Sequence, residues 1–476
     1  MPFCATLNQL AELLVIAPLN ISDAALALQA TGITTDSRSL KPGEVFVALR
    51  GEKFDGHDFV QVAQARGAIA AITDRPLPVP VPQFQVEDTL QAYQKIARWW
   101  RDQFPIPVIA VTGSVGKTTT KELIAAVLAT QGRVLKTHAN HNNEIGVPKT
   151  LLELGPEYDY AVIEMAMRAQ GEIALLTGIA RPTIGVITNV GTAHIERLGS
   201  EEAIAQAKCE LLATMPSTSV AILNHDNSRL IATARKVWQG QTLTYGLVSI
   251  PVSIPNRDLD PCVVSTHQIT GRCVGNETIC VEGMQLPLPL PGRHNASNFM
   301  AALAVAKVLQ INFSCLASGL TVNLPSGRSQ RYELPSDVVL LDETYNAAPE
   351  SMLASLELLT QTPGKRHIAV LGAMKELGER SPQFHQQVGA GARGLVDALL
   401  LLVDCPDVAA IATGASGIPT ECFPTHDALV ERLLAFVQPG DRLLFKASHA
   451  VELDRVVNQF RTEFCRSTQL SEADSE

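Results

Sequence analysis

Along most of the chain, short apolar runs alternate with stretches whose apolar residues return at helical spacing, which predicts strands and helices in turn. Before residue 104, Glu44–Leu49 and Ala68–Thr73 read as strands with a helix over Phe59–Ala65 between them, a small α/β unit. Two polar turns interrupt it, Thr34-Thr-Asp-Ser-Arg38 and Gly51-Glu-Lys-Phe-Asp-Gly-His-Asp58, and Pro76–Pro82 is a proline-rich excursion. From residue 106 the alternation becomes regular: Val108–Val111, Tyr160–Glu164, Thr183–Asn189 and Ser219–Asn224 are strand-like runs set between helical stretches. That order predicts a doubly wound parallel sheet, where ligands collect beyond the carboxyl ends of strands, here at Thr112, Glu164 and Asn189. Alternating Val, Thr, Ile and Gly over Val252–Gly283 predict a small antiparallel insertion, and a helix resumes at Asn295–Leu309. Beyond the turn-rich Asn323-Leu-Pro-Ser-Gly-Arg328, apolar runs at Asp337–Asp342, His367–Gly372, Leu399–Val403 and Arg442–Lys446 predict a third, Rossmann-like domain. Its Leu371-Gly-Ala lacks the Gly-x-Gly-x-x-Gly of dinucleotide binders, and the polar tail from Ser467 is expected to fray.

Breaks at Phe104–Pro107 and Asn323–Arg328 thus divide the chain into three α/β domains, 1–105, 106–323 and 324–476. The length of 476 residues agrees, at about 150 residues per domain. A net charge of -10 argues against a general role in gripping nucleic acid, so charges on any ligand must be met locally. Nine scattered cysteines, never spaced C-x-x-C, suggest reduced core residues of a cytosolic protein. No Lys or Arg precedes Arg38, so the basic region of a signal peptide is missing, and no long charge-free apolar run suggests a membrane span.

Chemistry concentrates where the run Val108–Val111 breaks into Gly113-Ser-Val-Gly-Lys-Thr118 and continues as a helix with Leu123, Ile124, Val127 and Leu128 on one face. Glycines let backbone N–H groups turn onto an anion and the helix N-terminus adds positive potential. Lys117 can reach the outer phosphates of a nucleotide and the Thr118 hydroxyl can ligate Mg²⁺. The longer phosphate-loop pattern would put a glycine where Val111 stands, so this is the shorter Gly-x-x-Gly-Lys-Thr form, with Gly113, Ser114, Val115, Gly116, Lys117, Thr118 and Thr119 as nucleotide contacts. Glu164 ends an apolar strand and needs a partner for its charge, for which Mg²⁺ is suited. His194 follows another strand end, where a lone histidine is as readily structural as functional. Lys208, on a helical stretch, reads by itself as a solvated charge.

Seven segments together resemble the Mur ligases: Gly113–Glu122, Asn142–Pro148, Asn189–Glu196 with Gly199-Ser, Ala207–Glu210, Gly292–Asn298, Asp342–Met352 and Leu371–Gly378. Asn-Asn-Glu-Ile-Gly-Val-Pro, Tyr-Asn-Ala-x-Pro-x-Ser-Met and Leu-Gly-x-Met-x-Glu-Leu-Gly look most like the member that joins D-alanyl-D-alanine to UDP-N-acetylmuramoyl-tripeptide for peptidoglycan synthesis. The resemblance covers all three domains. It implies an N-terminal domain that holds the UDP-muramyl end through Ser37, Arg38, Asp55, Gly56 and His57, a central ATP domain, and a C-terminal domain that binds the incoming dipeptide. It further implies that the substrate carboxylate attacks the γ-phosphate of ATP, giving an acyl phosphate from which the dipeptide amine then displaces phosphate to form the amide. Two Mg²⁺ ions are implied, one on Thr118 and Glu164, the other on His194 and a carbamoylated Lys208. Asn295 and Asn298 match adenine-recognition positions, Arg328 and Asp342 match residues that close on phosphates and ribose, and Asn143, Tyr345, Asn346 and Lys446 match substrate contacts. A hinge near 323–328, a monomer and a cytoplasmic location complete the expectation.

Two departures stand out. Ala166 and Arg168 replace the family's usual Gly and a polar residue, and Lys446-Ala-Ser-His449 replaces the common Lys-Gly-Ser-Arg, which puts the positive charge at His449 under the control of pH. Two other readings stand beside this one. A sibling ligase or folylpolyglutamate synthase shares the phosphate machinery, but the Asp-Asn-Pro-Arg acceptor motif of one sibling is absent; a nucleotide switch predicts Asn-Lys-x-Asp, and none occurs. The third residue of the tripeptide, diaminopimelate or lysine, stays open.

Overall fold

The computed structural model describes residues 3–16, 21–248 and 266–473. Its strands form one two-stranded antiparallel ribbon, Ala5–Thr6 with Gln29–Ala30, and three larger sheets. The smallest of the three is all parallel, in the order Ile33–Thr34, Val45–Val47, Ala70–Thr73, Gln83–Gln85. Two of these strands, Ile33–Thr34 and Gln83–Gln85, lay inside or beside stretches that read only as polar turn and proline-rich excursion. They are too short to show a period.

The central sheet has nine strands, in the order Met284–Pro287, Thr278–Val281, Thr266–Val274, Gln241–Leu247, Val220–Asn224, Ile184–Ile187, Val108–Thr112, Tyr160–Glu164, Val134–Lys136. It is parallel from Val134–Lys136 through Thr266–Val274, after which two antiparallel pairings close the edge. The antiparallel insertion expected over Val252–Gly283 is therefore present from Thr266 on, and its first part lies outside the described residues. Strand Val108–Thr112 sits between two strands from later in the chain, the arrangement that opens a crevice at the strand ends. Both faces of this strand are covered: Val108 and Ala110 pack into one core and Ile109 and Val111 into another, so the continuous apolar run is a period-2 element buried on both sides. The second core is closed by helix Arg293–Val308, whose Ala301, Ala302, Ala304 and Ala306 allow close packing on helix Lys117–Leu128.

The third sheet runs Gln330–Leu334, Val338–Asp342, Asp441–Lys446, Arg366–Leu371, Ala398–Leu402, Thr420–Phe423, parallel except for the first pairing. The C-terminal helix spans Leu453–Ala473, so the backbone from Ser467 to Ala473 is helical, and the end of the tail lies outside the described residues. Helix Thr89–Arg101 joins the first domain to the second. Asp88 caps it by accepting from the N–H groups of Leu90 and Gln91, and its last turn docks by the buried Trp100 and Arg101. Trp100 Nε1 donates to Leu154 O, while Arg101 donates to Ala180 O and Phe104 O. None of the eight described cysteines is paired, and no described helix is long and apolar enough to cross a membrane.

Candidate active site

Where strand Val108–Thr112 ends, the chain turns through Gly113–Gly116 into helix Lys117–Leu128. A Cβ at Gly113 would stand 1.9 Å from Thr188 Oγ1, and Gly116, at φ +80°, faces Asn298 Oδ1 in the same way at 2.6 Å. The loop is pinned from the neighbouring strand end. Thr188 Oγ1 donates to Val115 O at 2.7 Å, and Asn189 both accepts from Val115 N–H and donates to Val115 O at 3.0 Å. Ser114 Oγ accepts from Gly191 N–H. Sequence reasoning placed Asn189 at this edge but gave it no task; a polar side chain closing a buried strand was the available signal. Lys117 Nζ folds back on the loop carbonyls of Gly113 and Ser114 at 2.9 and 3.2 Å, and burial holds its pKa below that of an ordinary lysine, against the pull of Glu164.

Beside the loop lies Glu164, 2% exposed. Its Oε1 accepts from Asn142 Nδ2 at 2.8 Å, whereas its buried Oε2 accepts no hydrogen bond. Such an orphaned carboxylate oxygen suits a hard cation such as Mg²⁺, and Thr118 at the end of the glycine loop is buried as well. His194 is held at φ +66° on the next loop, its Nδ1 2.5 Å from Glu376 Oε2 without hydrogen-bond geometry. Burial, then Lys117, depress the His194 pKa, so the neutral, ligating form of the ring prevails. Lys208 is not the solvated charge its helix suggested: it is 1% exposed, because helix Glu201–Thr214 is buried over most of its length. Burial first, and Lys117 second, push its pKa well below the usual lysine value, and no carboxylate is among the groups acting on it.

The cleft above these groups has a volume of about 820 Å³ and is walled by the central and C-terminal domains. Asn295 and Asn298 line it from helix Arg293–Val308, as does the neighbouring His294, which sequence reasoning passed over. Arg328 lies 3.9 Å over the Tyr345 ring, and Tyr345 meets His449 edge-on at 5.6 Å. Lys446 Nζ donates to Asn346 O at 3.0 Å and faces Glu343. Asn143 and Arg168 are also on the wall; Asn143 Oδ1 accepts from Gly146 N–H to shape its own turn. Two further carboxylates, absent from the sequence-based set, bridge the domains. Glu350 accepts from Thr192 N–H and Oγ, and Glu376 meets His194.

Several expected contacts stand elsewhere. Asp342 is 3% exposed, does not line the cleft, and uses Oδ1 to accept from Thr344 N–H and Oγ1. Ser37, Arg38, Asp55, Gly56 and His57 lie in the N-terminal domain and are not among the cleft residues. Arg38 pairs with Asp36 at 2.8 Å in solvent. The His57 side chain is 1% exposed, with Nδ1 2.5 Å from Asp55 and Nε2 accepting from Asp74 N–H, so it braces the loop.

Comparison with known proteins accounts for this arrangement. Three family models match in succession: the Mur ligase family catalytic domain at residues 29–101, the Mur ligase middle domain at 111–306 and the Mur ligase glutamate ligase domain at 327–449. A UDP-N-acetylmuramoyl-tripeptide--D-alanyl-D-alanine ligase of Synechocystis sp. is 56% identical over 94% of this chain and 95% of its own length. The chain belongs to the Mur ligase family. An Escherichia coli relative of the same name is 37% identical over 95% of this chain and 97% of its own. Among solved structures, MurF from Acinetobacter baumannii superposes with TM-score 0.85 at 28% identity, covering 97% of this chain and 100% of that one. MurF ligase from Thermotoga maritima in complex with ADP gives 0.79 at 31%, covering 93% and 99%. In this Mur ligase the glycine loop and Glu164 fall in the middle matched segment, and Arg328 and Lys446 in the last.

Proposed function

We propose that this chain uses ATP and Mg²⁺ to join D-alanyl-D-alanine to UDP-N-acetylmuramoyl-tripeptide, forming the pentapeptide precursor of peptidoglycan. The observation that carries the reading is a cleft lined by the glycine loop and the partly exposed His194, facing Arg328 and Lys446 from a second domain, with the orphaned oxygen of the buried Glu164 behind the loop and the buried Lys208 acted on by Lys117. Attack of a carboxylate on a polyphosphate brings like charges together, and Mg²⁺ supplies the neutralising Lewis acid for it. Thr118 and Glu164 would hold one ion; His194 and Lys208, once carbamoylated, would hold the other. The depressed pKa supports that modification: a neutral amine adds CO₂ and loses a proton, turning a cation into an anionic oxygen ligand.

Lys117, released from its loop carbonyls, stabilises charge on the transferring phosphoryl group, with Arg328 approaching from the C-terminal domain. Gly113 to Thr119 bind the phosphates through backbone N–H groups, and Asn295 and Asn298 meet the adenine side. The dipeptide amine, positioned by Tyr345, Asn346, Lys446 and His449, then attacks the acyl carbon of the tripeptide acyl phosphate, forming the amide as the C–O bond breaks, phosphate leaves and the amine gives up a proton. Glu350 and Glu376 hold the C-terminal domain against the 191–194 loop, excluding water that would hydrolyse the acyl phosphate, and residues 323–328 serve as the hinge. In this assignment 106–323 binds ATP and 324–476 closes on it. The domain 1–105 anchors the UDP-muramyl end through Ser37, Arg38 and the Asp55–Gly56 loop that His57 braces, away from the reacting atoms. Asp342 shapes the turn to Thr344 and reaches the ribose only if that turn opens. Because one chain supplies every wall of the cleft, a monomer suffices, and the nucleotide-linked substrate places it in the cytoplasm. The test is phosphate release from Mg-ATP with each substrate omitted in turn. Release that needs both muramyl tripeptide and D-alanyl-D-alanine is expected; release with ATP alone, or with a single amino acid in place of the dipeptide, overturns the assignment.

A further inference from the structure

Behind the glycine loop lies a lysine that the functional assignment leaves without a task. Lys121, one turn into the helix that begins at Lys117, is 0% exposed. Its Nζ donates to Thr137 O at 2.8 Å, lies 3.1 Å from Glu122 Oε1 and stands 3.7 Å from Glu164 Oε2. A lysine this deep is retained only with partners for its charge. Here two carboxylates share it, and the second of them is the residue read above as a metal ligand.

The distances divide the work. At 3.7 Å, Lys121 is close enough to balance the charge of Glu164 and too far to donate a hydrogen bond to it. Oε2 accordingly keeps its lone pairs free, while Asn142 Nδ2 fixes Oε1 and Thr137 Oγ1 accepts from Glu164 N–H. What holds Lys121 at that distance is the same segment that holds Glu164: Thr137 takes the ammonium on its carbonyl and the Glu164 backbone on its hydroxyl. Glu122 anchors the other side, itself paired with Lys136 at the surface. Charges therefore alternate inward, Lys136, Glu122, Lys121, Glu164, and end on a buried oxygen that accepts no hydrogen bond.

We propose that Lys121 is a positioning residue for the metal site: it balances the charge of Glu164 and keeps it aimed, with one oxygen left for Mg²⁺, without touching substrate itself. The inference rests on the assignment of Glu164 as a ligand. Supporting groups of this kind typically change metal affinity by roughly 10- to 100-fold when removed.

The experiment measures Mn²⁺ binding to the full chain with a non-hydrolysable ATP analogue, by electron paramagnetic resonance, and the affinity for the analogue with and without Mg²⁺ by calorimetry. Lys121→Met is expected to weaken Mn²⁺ binding roughly 10- to 100-fold and to remove most of the Mg²⁺-dependent gain in nucleotide affinity, with metal-free nucleotide binding little changed. Lys121→Arg is expected to recover part of the loss. If Lys121→Met does not fold, Glu122→Gln, which loosens the anchor of Lys121 and leaves both other charges in place, is expected to shift Mn²⁺ binding in the same direction. Unchanged Mn²⁺ affinity in the folded variant, with only a lower melting temperature, overturns the proposal. Glu164→Gln separates the two ideas: if it abolishes tight Mn²⁺ binding while Lys121→Met does not, the role of Lys121 fails alone, and if Glu164→Gln has no effect, the ligand assignment fails first.

Discussion

Single residues in this protein owe their chemistry to where the fold buries them. Lys208 and Lys117 are both lysines on helices, yet both lie below the ordinary lysine pKa because desolvation penalises their ammonium forms, with Lys117 adding to the effect on Lys208 and Arg328 to that on Lys117. Removing the Lys208 amine by Lys208→Ala is expected to lower kcat by at least about a hundredfold, the scale seen when a metal site loses a supporting group, with nucleotide binding retained. Turnover at the wild-type rate refutes the role. Asp36 shows the opposite environment. A hydrogen bond from Arg38 holds its carboxyl down to about 2, against an ordinary 3.8. A depressed folded pKa stabilises above the unfolded value and is lost as pH falls through the folded one, so this small surface contribution disappears between about pH 4 and pH 2. Arg38→Ala should return the Asp36 titration, followed by carboxyl carbon NMR, towards the ordinary value.

Elements carry the next layer. The glycine loop is shaped less by its own sequence than by the end of the adjacent strand, where Thr188 and Asn189 clamp Val115 from two directions. A methyl at Gly113 displaces Thr188 Oγ1 and frees that clamp. Losing about 1–3 kcal/mol of buried hydrogen bonding there translates to roughly 10- to 100-fold weaker ATP binding in Gly113→Ala by calorimetry, with the melting temperature little affected. Across the cleft, Glu350 accepts two hydrogen bonds from Thr192. Glu350→Ala leaves the Thr192 N–H without its charged acceptor and weakens domain docking by about 1.5–3 kcal/mol, visible as a larger radius of gyration in solution scattering. An unchanged radius means closure is held elsewhere.

On the scale of the whole molecule, the first two domains behave as one body. Trp100 packs between Phe3 and Phe104 at 4.8 and 5.1 Å and donates to Leu154 O, while Arg101 spends its guanidinium on carbonyls of the central domain. Trp100→Ala is expected to cost about 3–5 kcal/mol, read from denaturant unfolding, because it empties a shared core and strands a carbonyl. A separate early transition for the N-terminal domain would instead show that the junction is weak. The C-terminal domain adds polar contacts to its junction with the central one, Glu350 with Thr192 and Glu376 with His194.

The sequence by itself determined the alternation of strands and helices, the glycine loop at Gly113–Thr118 and the kinship of the chain, because these depend on local spacing and on short motifs. It also pointed to Glu164 and His194 at strand ends, since a parallel sheet directs its ligands there. Only the tertiary structure decided which side chains are buried, and with that their charge states. Lys208 looks like any helical lysine until helix Glu201–Thr214 is packed, and the enclosure of the His57 ring by Asp55 and Asp74 shows only in the folded chain. The clamps from Thr188 and Asn189, the bracing of Glu164 by Lys121 and the docking of Glu350 and Glu376 join residues far apart in the chain. Such contacts leave no periodic trace, because they arise from how finished elements meet rather than from how each one forms.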